Sequence, residues 1–317
     1  MVTFTLLIGL PGSGKSSYAE KVVNTMHNME WISSDNIRQE LWGDANDQQN
    51  HAKVFDTMLK RSIAALKAGK NVIYDATNLV AKTRTNTLKA IRAQVDCEAA
   101  AIFFACSISE CKLRQGGRDR KVPDEVIDRM VRRFEAPWYN EGWDFIWVSP
   151  SGKRQGIDRE HWRMLGESHD NPHHTASLEM HCVNCETNMM NFLAKIEEMT
   201  DRDKEVLIEA AYQHDLGKHK TKAFFNAKGE PTDIAHYYSH NNVGAYLWLS
   251  GDKAHRWSND EFLFIGLLIQ WHMQPFFLRD ENGEYIDNLI QWCRKKNFDN
   301  KFCDAVVALH EADLAAH

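Results

Sequence analysis

No stretch of this chain approaches the ~18 consecutive apolar residues that a membrane span needs, so a role as an integral helical membrane protein is not expected. The opening Met1-Val2-Thr3-Phe4 has no basic region ahead of an apolar run, and seven cysteines form an odd set without disulfide-framework spacing. The expected compartment is the cytoplasm. Positive charge is also lacking. A net charge of -6 is the opposite of the basic field with which nucleic-acid binding usually begins, so any polynucleotide contact must be local. Internal repeats and low-complexity tracts are absent. Cys182 and Cys185 make one C-x-x-C, but no second pair completes a zinc ribbon, and burial on a helix is the expectation.

What is present fits two ordinary globular domains: 317 residues, 43% hydrophobic and 26% charged. The first half alternates short apolar runs with helical patterns, which predicts a parallel sheet wrapped by helices. Strands are expected at Thr3–Ile8, Trp31–Ser33, Val72–Asp75, Ala100–Cys106 and Phe145–Val148. Helices are expected at Lys15–Met26, Ala52–Ala68, Lys82–Ala93, Glu110–Gln115 and Glu125–Phe134. The Ser-, Gly- and Pro-containing run from Ser149 to Gly156 reads as a turn or linker. Beyond it the strands stop and helix follows helix, separated by polar stretches such as Asn226–Asp233. Thirteen of the fifteen histidines fall at or after His161, a shift in composition that supports a change of domain. The expected division is a domain over 1–150, a linker over 151–163 and a second domain over 164–317.

Gly9-Leu10-Pro11-Gly12-Ser13-Gly14-Lys15-Ser16 matches the phosphate-binding loop G-x-x-x-x-G-K-[ST], between a predicted strand and a predicted helix as that motif requires. Glycines let backbone N–H groups approach phosphates, and the positive end of the next helix attracts them. Gly12, Ser13, Gly14 and Lys15 are thus expected to hold ATP or another nucleoside triphosphate, with the Ser16 hydroxyl on Mg²⁺. Trp31-Ile32-Ser33-Ser34-Asp35-Asn36-Ile37-Arg38 ends a strand with a carboxylate and, three residues on, a guanidinium. On a first helical turn the two share a side. Asp35 suits proton abstraction from an attacking hydroxyl, and Arg38 suits an acceptor phosphate; a helix cap plus a surface cation is the plainer alternative. Between Lys112 and Arg133 stand eight Lys or Arg and four acids, a local basic segment or a solvated helix face.

This ordered set resembles the phage-type polynucleotide 5'-kinase family over residues 1–148. Tyr74-Asp75-Ala76-Thr77-Asn78 is similar to that family's D-x-T-N strand end, which implies Asp75 near Mg²⁺ and the phosphates. Arg114-Gln115-Gly116-Gly117-Arg118-Asp119-Arg120 resembles its arginine-bearing lid, which implies Arg118 at the transferring phosphoryl, with Arg114 and Arg120 beside the nucleotide. Arg118 and Arg120 are interchangeable in that alignment. The D-x-D-G-T motif of the phosphatase that follows the kinase in well-known members is absent here, and so is the K-x-D-G of nucleotidyl-transferring ligases.

The second half has its own set of candidate ligands. His214-Asp215 closes a predicted helix whose Val206, Leu207, Ala210 and Ala211 form an apolar stripe. His181 shares a face with Leu178, Cys182, Cys185 and Met189, and His240 with Val243, Gly244 and Leu247. His272 follows Ile265, Leu268 and Ile269, and Asp313 lies on the stripe of Val306 and Leu309. A buried carboxylate needs a partner, and a metal ion is one. The order His181, His214-Asp215, His240, His272, Asp313 resembles the HD phosphohydrolase superfamily over residues 165–317. That resemblance implies an all-α HD domain beside the α/β P-loop kinase domain, one or two divalent metals, and metal-dependent phosphoester hydrolysis. Imidazole and carboxylate together suit Mn, Fe, Co, Ni or Zn. Lys218 matches the superfamily's H-D-x-G-K and suits a substrate phosphate; a cation satisfying the helix C-terminus is the alternative.

Together the resemblances imply an end-healing enzyme acting on RNA or DNA ends, which phosphorylates a 5'-hydroxyl and removes a 3'-phosphate or opens a 2',3'-cyclic phosphate. Sealing would need a separate ligase. A small-molecule kinase coupled to a nucleotidase is the competing expectation, and a sensor with an inactive second domain is a third. Trp138, Trp143 and Trp147 suit either base stacking or packing, and packing is expected.

Overall fold

The computed structural model describes residues 1–45, 50–117, 121–150, 168–172, 176–251 and 256–317. The chain divides into two compact units: Met1–Arg133 with Pro137–Gln155, and Phe134–Ala136 with Gly156–His317. The expected linker at 151–163 lies outside the described residues, as do Arg118 and Arg120.

The first unit is built on five strands, β1 (Val2–Ile8), β2 (Met29–Ser33), β3 (Asn71–Asp75), β4 (Cys97–Ala105) and β5 (Phe145–Pro150). They pair in the order β2-β3-β1-β4-β5, and every pairing is parallel. A parallel sheet is covered on both faces, which is why β4 is apolar and buried almost without a break from Ala99 to Ala105. The helices are α1 (Lys15–Thr25), α2 (Ser34–Trp42), α3 (His51–Lys67), α4 (Ala81–Arg92), α5 (Ile108–Gly116) and α6 (Asp124–Arg132). β1 is central, with β3 on one side and β4 on the other, so the chain leaving β1 enters the crevice where strand order reverses. That crevice is where open α/β sheets bind ligands.

Trp143 is buried as expected, but Trp147 is not: it lies on edge strand β5, is 49% exposed, and stacks on Phe145 at 5.4 Å.

The second unit is mainly helical, with α7 (Leu178–Leu193), α8 (Asp201–Gln213), α9 (Lys218–Thr221), α10 (His240–Leu249), α11 (Asn259–Trp271), α12 (Gln274–Phe277), α13 (Ile286–Lys295) and α14 (Asn300–Leu314). Caps define several starts: Ser177 accepts from the Met180 N–H, Thr200 from Asp203, and Ser258 forms a reciprocal capping box with Glu261. Leu178, Cys182, Cys185, Met189, Val206, Leu207, Ala210, Ala211, Ile265, Leu268, Ile269, Val306 and Leu309 are all buried, so the apolar stripes do form the core. Cys182 and Cys185 are free thiols, and burial pushes both their pKa values up.

The all-α expectation needs correcting. Between α9 and α10 the chain forms an antiparallel hairpin, β6 (Ala223–Phe225) and β7 (Pro231–His236). Its turn is held by Asn226, whose Oδ1 accepts the N–H groups of Lys228 and Glu230 at 2.9 and 3.0 Å, and by Gly229 at a φ of 82°. Asn and Gly in the stretch Asn226–Asp233 mark a turn rather than an unstructured connection.

Candidate functional site

The loop after β1 wraps the start of α1. Gly12 has a φ of 86°, and a Cβ there would stand 2.6 Å from the carbonyl oxygen of Cys111 on α5. Only glycine fits that approach and that backbone angle. Lys15 Nζ donates to the carbonyls of Gly9 and Leu10 at 2.9 and 2.8 Å and reaches Ser13 Oγ at 3.3 Å. Arg114 donates to the Gly12 carbonyl at 3.2 Å and pairs with Glu110 at 2.8 Å.

At the end of β3, Asp75 accepts from Trp31 Nε1 at 3.2 Å and also hydrogen-bonds Ser16. Burial pushes its pKa up, against the opposing pull of Lys15 and of the Ser16 and Trp31 hydrogen bonds. Ser16 and Asp75 thus present adjacent oxygens, the donor chemistry that Mg²⁺ takes.

Asp35 and Arg38 lie on the first turns of α2 as their spacing predicts, and they pair at 3.1 Å. Arg38 is buried while half of the Asp35 side chain is exposed, so the guanidinium is held and the carboxylate faces the cleft. Both line a cleft of 590 Å³ shared with Lys15, Ser16 and Asp75. Sequence reasoning missed two further lining residues, His51 and Phe55 on α3. His51 Nδ1 stands 3.3 Å from Arg38 Nη2, and its ring stacks on Phe55 at 6.5 Å. Neither belongs to a local motif; α3 brings them in. Part of the basic segment proves to be paired helix surface, since Lys112 bridges to Asp128 at 2.7 Å.

In the second unit all six expected metal-ligand candidates converge, with Asp215 between two histidine groups. His181 Nε2 and His214 Nε2 stand 3.4 and 3.3 Å from Asp215 Oδ2. The same two nitrogens lie 3.0 and 3.3 Å from Asp313 Oδ1. On the other side, His240 Nε2 and His272 Nε2 are 3.3 and 3.8 Å from Asp215 Oδ1. Three groups of potential metal ligands result among the described residues: His181, His214 and Asp215; His181, Asp313 and His317; and Asp215, His240 and His272. His317 was not anticipated; its Nε2 is 3.8 Å from Asp313 Oδ1 and its ring is 4.9 Å from that of His181.

The histidine tautomers are set from behind. The Nδ1 atoms of His214, His240 and His272 lie 2.7, 2.8 and 2.7 Å from the carbonyls of Ala211, Tyr237 and Ile269. A carbonyl only accepts, so each Nδ1 carries a proton and each ring presents its Nε2 to the centre. His240 Nε2 and His272 Nε2 are 3.2 Å apart, as are His181 Nε2 and His214 Nε2. Imidazole nitrogens and carboxylate oxygens gathered this closely are a donor set that a divalent metal takes, so the residues present fit one.

Burial pushes His272 down to about 3, which keeps it neutral. Burial also opposes charge on His214, Asp215 and Asp313. For His214 the Asp215 and Asp313 charges win and hold its pKa well above the usual histidine value; Lys218 and His214 hold Asp215 well below the carboxylate range. His214 and the His181 hydrogen bond do the same for Asp313. Lys218 Nζ lies 2.7 Å from Asp215 Oδ2, so it serves the cluster directly rather than only the helix end.

Residues 4–137 match the AAA domain family. A Pnkp1/Rnl/Hen1 RNA repair complex contains a chain 24% identical, with 42% of this chain and 43% of that one covered at a TM-score of 0.38. A putative kinase from Chloroflexus aurantiacus is 14% identical over 51% of this chain and 97% of its own, at a TM-score of 0.40. A fungal RNA kinase is 15% identical over 67% of this chain and 95% of its own, at a TM-score of 0.36. This chain spans less than half the length of the repair-complex chains it matches. No helix among the described residues is long and apolar enough to cross a membrane. Residues 4–137 thus combine a phosphate-binding loop after β1, a parallel sheet around it and a likeness to the AAA domain family.

Proposed function

We propose that the chain is a two-site end-healing enzyme, which transfers the γ-phosphoryl of ATP to a 5'-hydroxyl end of RNA or DNA and removes a 3'-phosphate or 2',3'-cyclic phosphate at a second site. The observation that carries this reading is Asp215, whose two carboxylate oxygens each face a different histidine pair. That arrangement suits two cations sharing one carboxylate, the donor set used for phosphoester hydrolysis.

At the first site Lys15 and the N-terminus of α1 bind the triphosphate, and Ser16 and Asp75 supply oxygens to Mg²⁺. Asp35 takes the proton of the attacking hydroxyl, while Arg38, braced by His51, holds the acceptor's phosphate. Arg118 or Arg120 completes the charge on the transferring group. At the second site His181, His214, Asp215 and Asp313 would hold one divalent metal, and His240, His272 and the other Asp215 oxygen a second. Bound there, the metals would supply a nucleophile at neutral pH and stabilise the leaving oxygen. Lys218 holds the shared carboxylate in place and offers a cation to the substrate phosphate. Sealing of the healed ends belongs to a separate ligase.

The test is to incubate the protein with ATP, Mg²⁺ or Mn²⁺ and an oligonucleotide bearing 5'-hydroxyl and 3'-phosphate ends, and to resolve the products. Gain at the 5' end and loss at the 3' end are expected. If neither end changes while a free nucleoside is phosphorylated, the proposal fails in favour of a small-molecule kinase.

A further inference from the structure

The hairpin β6–β7 interrupts the second unit at one particular place. Its first strand begins two residues after α9, the helix of Lys218, and its second strand ends four residues before His240. Lys218 Nζ and His240 Nε2 both touch Asp215, at 2.7 and 3.3 Å. Both roots of the hairpin therefore stand at the rim of the histidine cluster.

Its surface is aromatic and open. Phe224 is 42% exposed, Phe225 53% and Tyr238 41%. Consecutive phenylalanines on a regular strand would point to opposite faces; here the register shifts between Ala223 and Phe225, and both rings stay in solvent. Tyr238 lies flat against His236, with centroids 5.3 Å apart and planes within 7°. Phe224 and Phe225 lie on the hairpin and Tyr238 two residues beyond it, and none of the three is covered by the described residues of the unit.

Charge says what covers them. From Leu216 to Gly229 the chain carries Lys218, Lys220, Lys222 and Lys228 and no Asp or Glu, in a protein of net charge -6. Lys218 is buried on Asp215 at 2.7 Å and Lys222 is engaged with Asp170 at 2.8 Å, so Lys220 and Lys228 are the exposed cations of this run. The two acids of the hairpin, Glu230 and Asp233, follow this run, and Glu230 is tied into the turn by Asn226 at 2.7 Å. Lysines interleaved with exposed aromatic rings suit a single nucleic-acid strand, whose phosphates meet the cations while its bases stack on the rings. A protein partner would need apolar area without the run of lysines.

We infer that the hairpin β6–β7 is a stacking platform that seats the terminal nucleotides of a single strand and directs its 3' end to the histidine cluster. The inference deepens the proposed second site and rests on that reading for the polarity of the strand. It also explains why a hydrolytic centre would act on strand ends in preference to free phosphate esters.

The test uses the full chain and a 12-nucleotide strand with 5'- and 3'-phosphates and 5-bromouridine in its last four positions, crosslinked by light and mapped by mass spectrometry. Adducts on Phe224, Phe225 or Tyr238 are expected. In fluorescence anisotropy the Phe224→Ala/Phe225→Ala variant should bind the strand at least ~10-fold more weakly, and Phe224→Trp/Phe225→Trp should restore binding, because stacking needs a ring. Adducts confined to other segments, or unchanged affinity in the alanine variant, overturn the platform. So does a dimer in light scattering that the alanine variant dissolves, since the rings would then be covered by a second copy. The two readings fail separately: ring-dependent binding without loss of the 3'-phosphate under any metal sinks the hydrolase and leaves the platform. Loss of the 3'-phosphate with ring-independent binding does the reverse.

Discussion

Gly217 lies so close to His240 that a Cβ on it would stand 1.9 Å from the His240 carbonyl oxygen and 2.6 Å from the Gly244 N–H nitrogen. The glycine that follows His214-Asp215 is therefore what lets α10 carry His240 up to Asp215. Gly217→Ala should push α10 away, destabilise the second unit by on the order of 3 kcal/mol and lower metal content. Urea unfolding and metal analysis check this; an alanine variant with unchanged stability and metal would show that the close approach is not needed.

Asp215→Asn keeps the shape of the shared carboxylate but removes its charge and half of its acceptor capacity. Bound metal should fall below the wild-type stoichiometry, and 3'-phosphate removal should drop by at least ~10²-fold, with 5' phosphorylation retained. Loss of both activities would show that the sites are not independent.

Asp35→Ala should lower 5' phosphorylation by ~10²- to 10⁴-fold, the range for a lost general base, and leave 3' hydrolysis intact. Arg38→Lys should act differently. A lysine cannot span Asp35, His51 and an acceptor phosphate at once, so KM for the strand should rise more than kcat falls. A kinetic scan of both variants separates the two roles.

Stability should also carry a mark of Glu261, which accepts from Arg202 at 2.7 and 2.8 Å and caps α11 through Ser258. The Arg202 hydrogen bonds, reinforced by Ser258, lower its pKa to about 2 from an ordinary 4.5. The carboxylate is thus easier to ionise in the folded state, so its contribution is present above pH 4.5 and is lost as pH falls towards 2. In Glu261→Gln the unfolding free energy should vary less with pH across that window than in the wild type, as followed by urea titration. Equal slopes would remove the cap from the acid response.

Much of the architecture was legible because it is written locally. Apolar runs of three to seven residues separated by helical periods specify parallel strands, and the core stripes of α7, α8, α11 and α14 repeat at helical spacing. The hairpin was misjudged because β6 is three residues long and its pattern is broken by a register shift, although Asn226 and Gly229 marked the turn. Trp147 is 49% exposed while its neighbour Ile146 is buried, because alternate residues of β5 point to opposite faces and helix packing decides which face is covered, which no local pattern records.

The kinds of donor expected at each site were legible locally, because Gly12 to Ser16, Asp35 with Arg38, and His214 with Asp215 each lie within one loop or one helical turn, where backbone geometry alone brings them together. Only the tertiary structure decided that His181 and His214, 33 residues apart, face one oxygen of Asp215 while His240 and His272, 32 residues apart, face the other. It also brought His51 to Arg38 and His317 to Asp313. Such meetings depend on how helices pack, and packing is decided by side-chain shape and excluded volume across the whole unit.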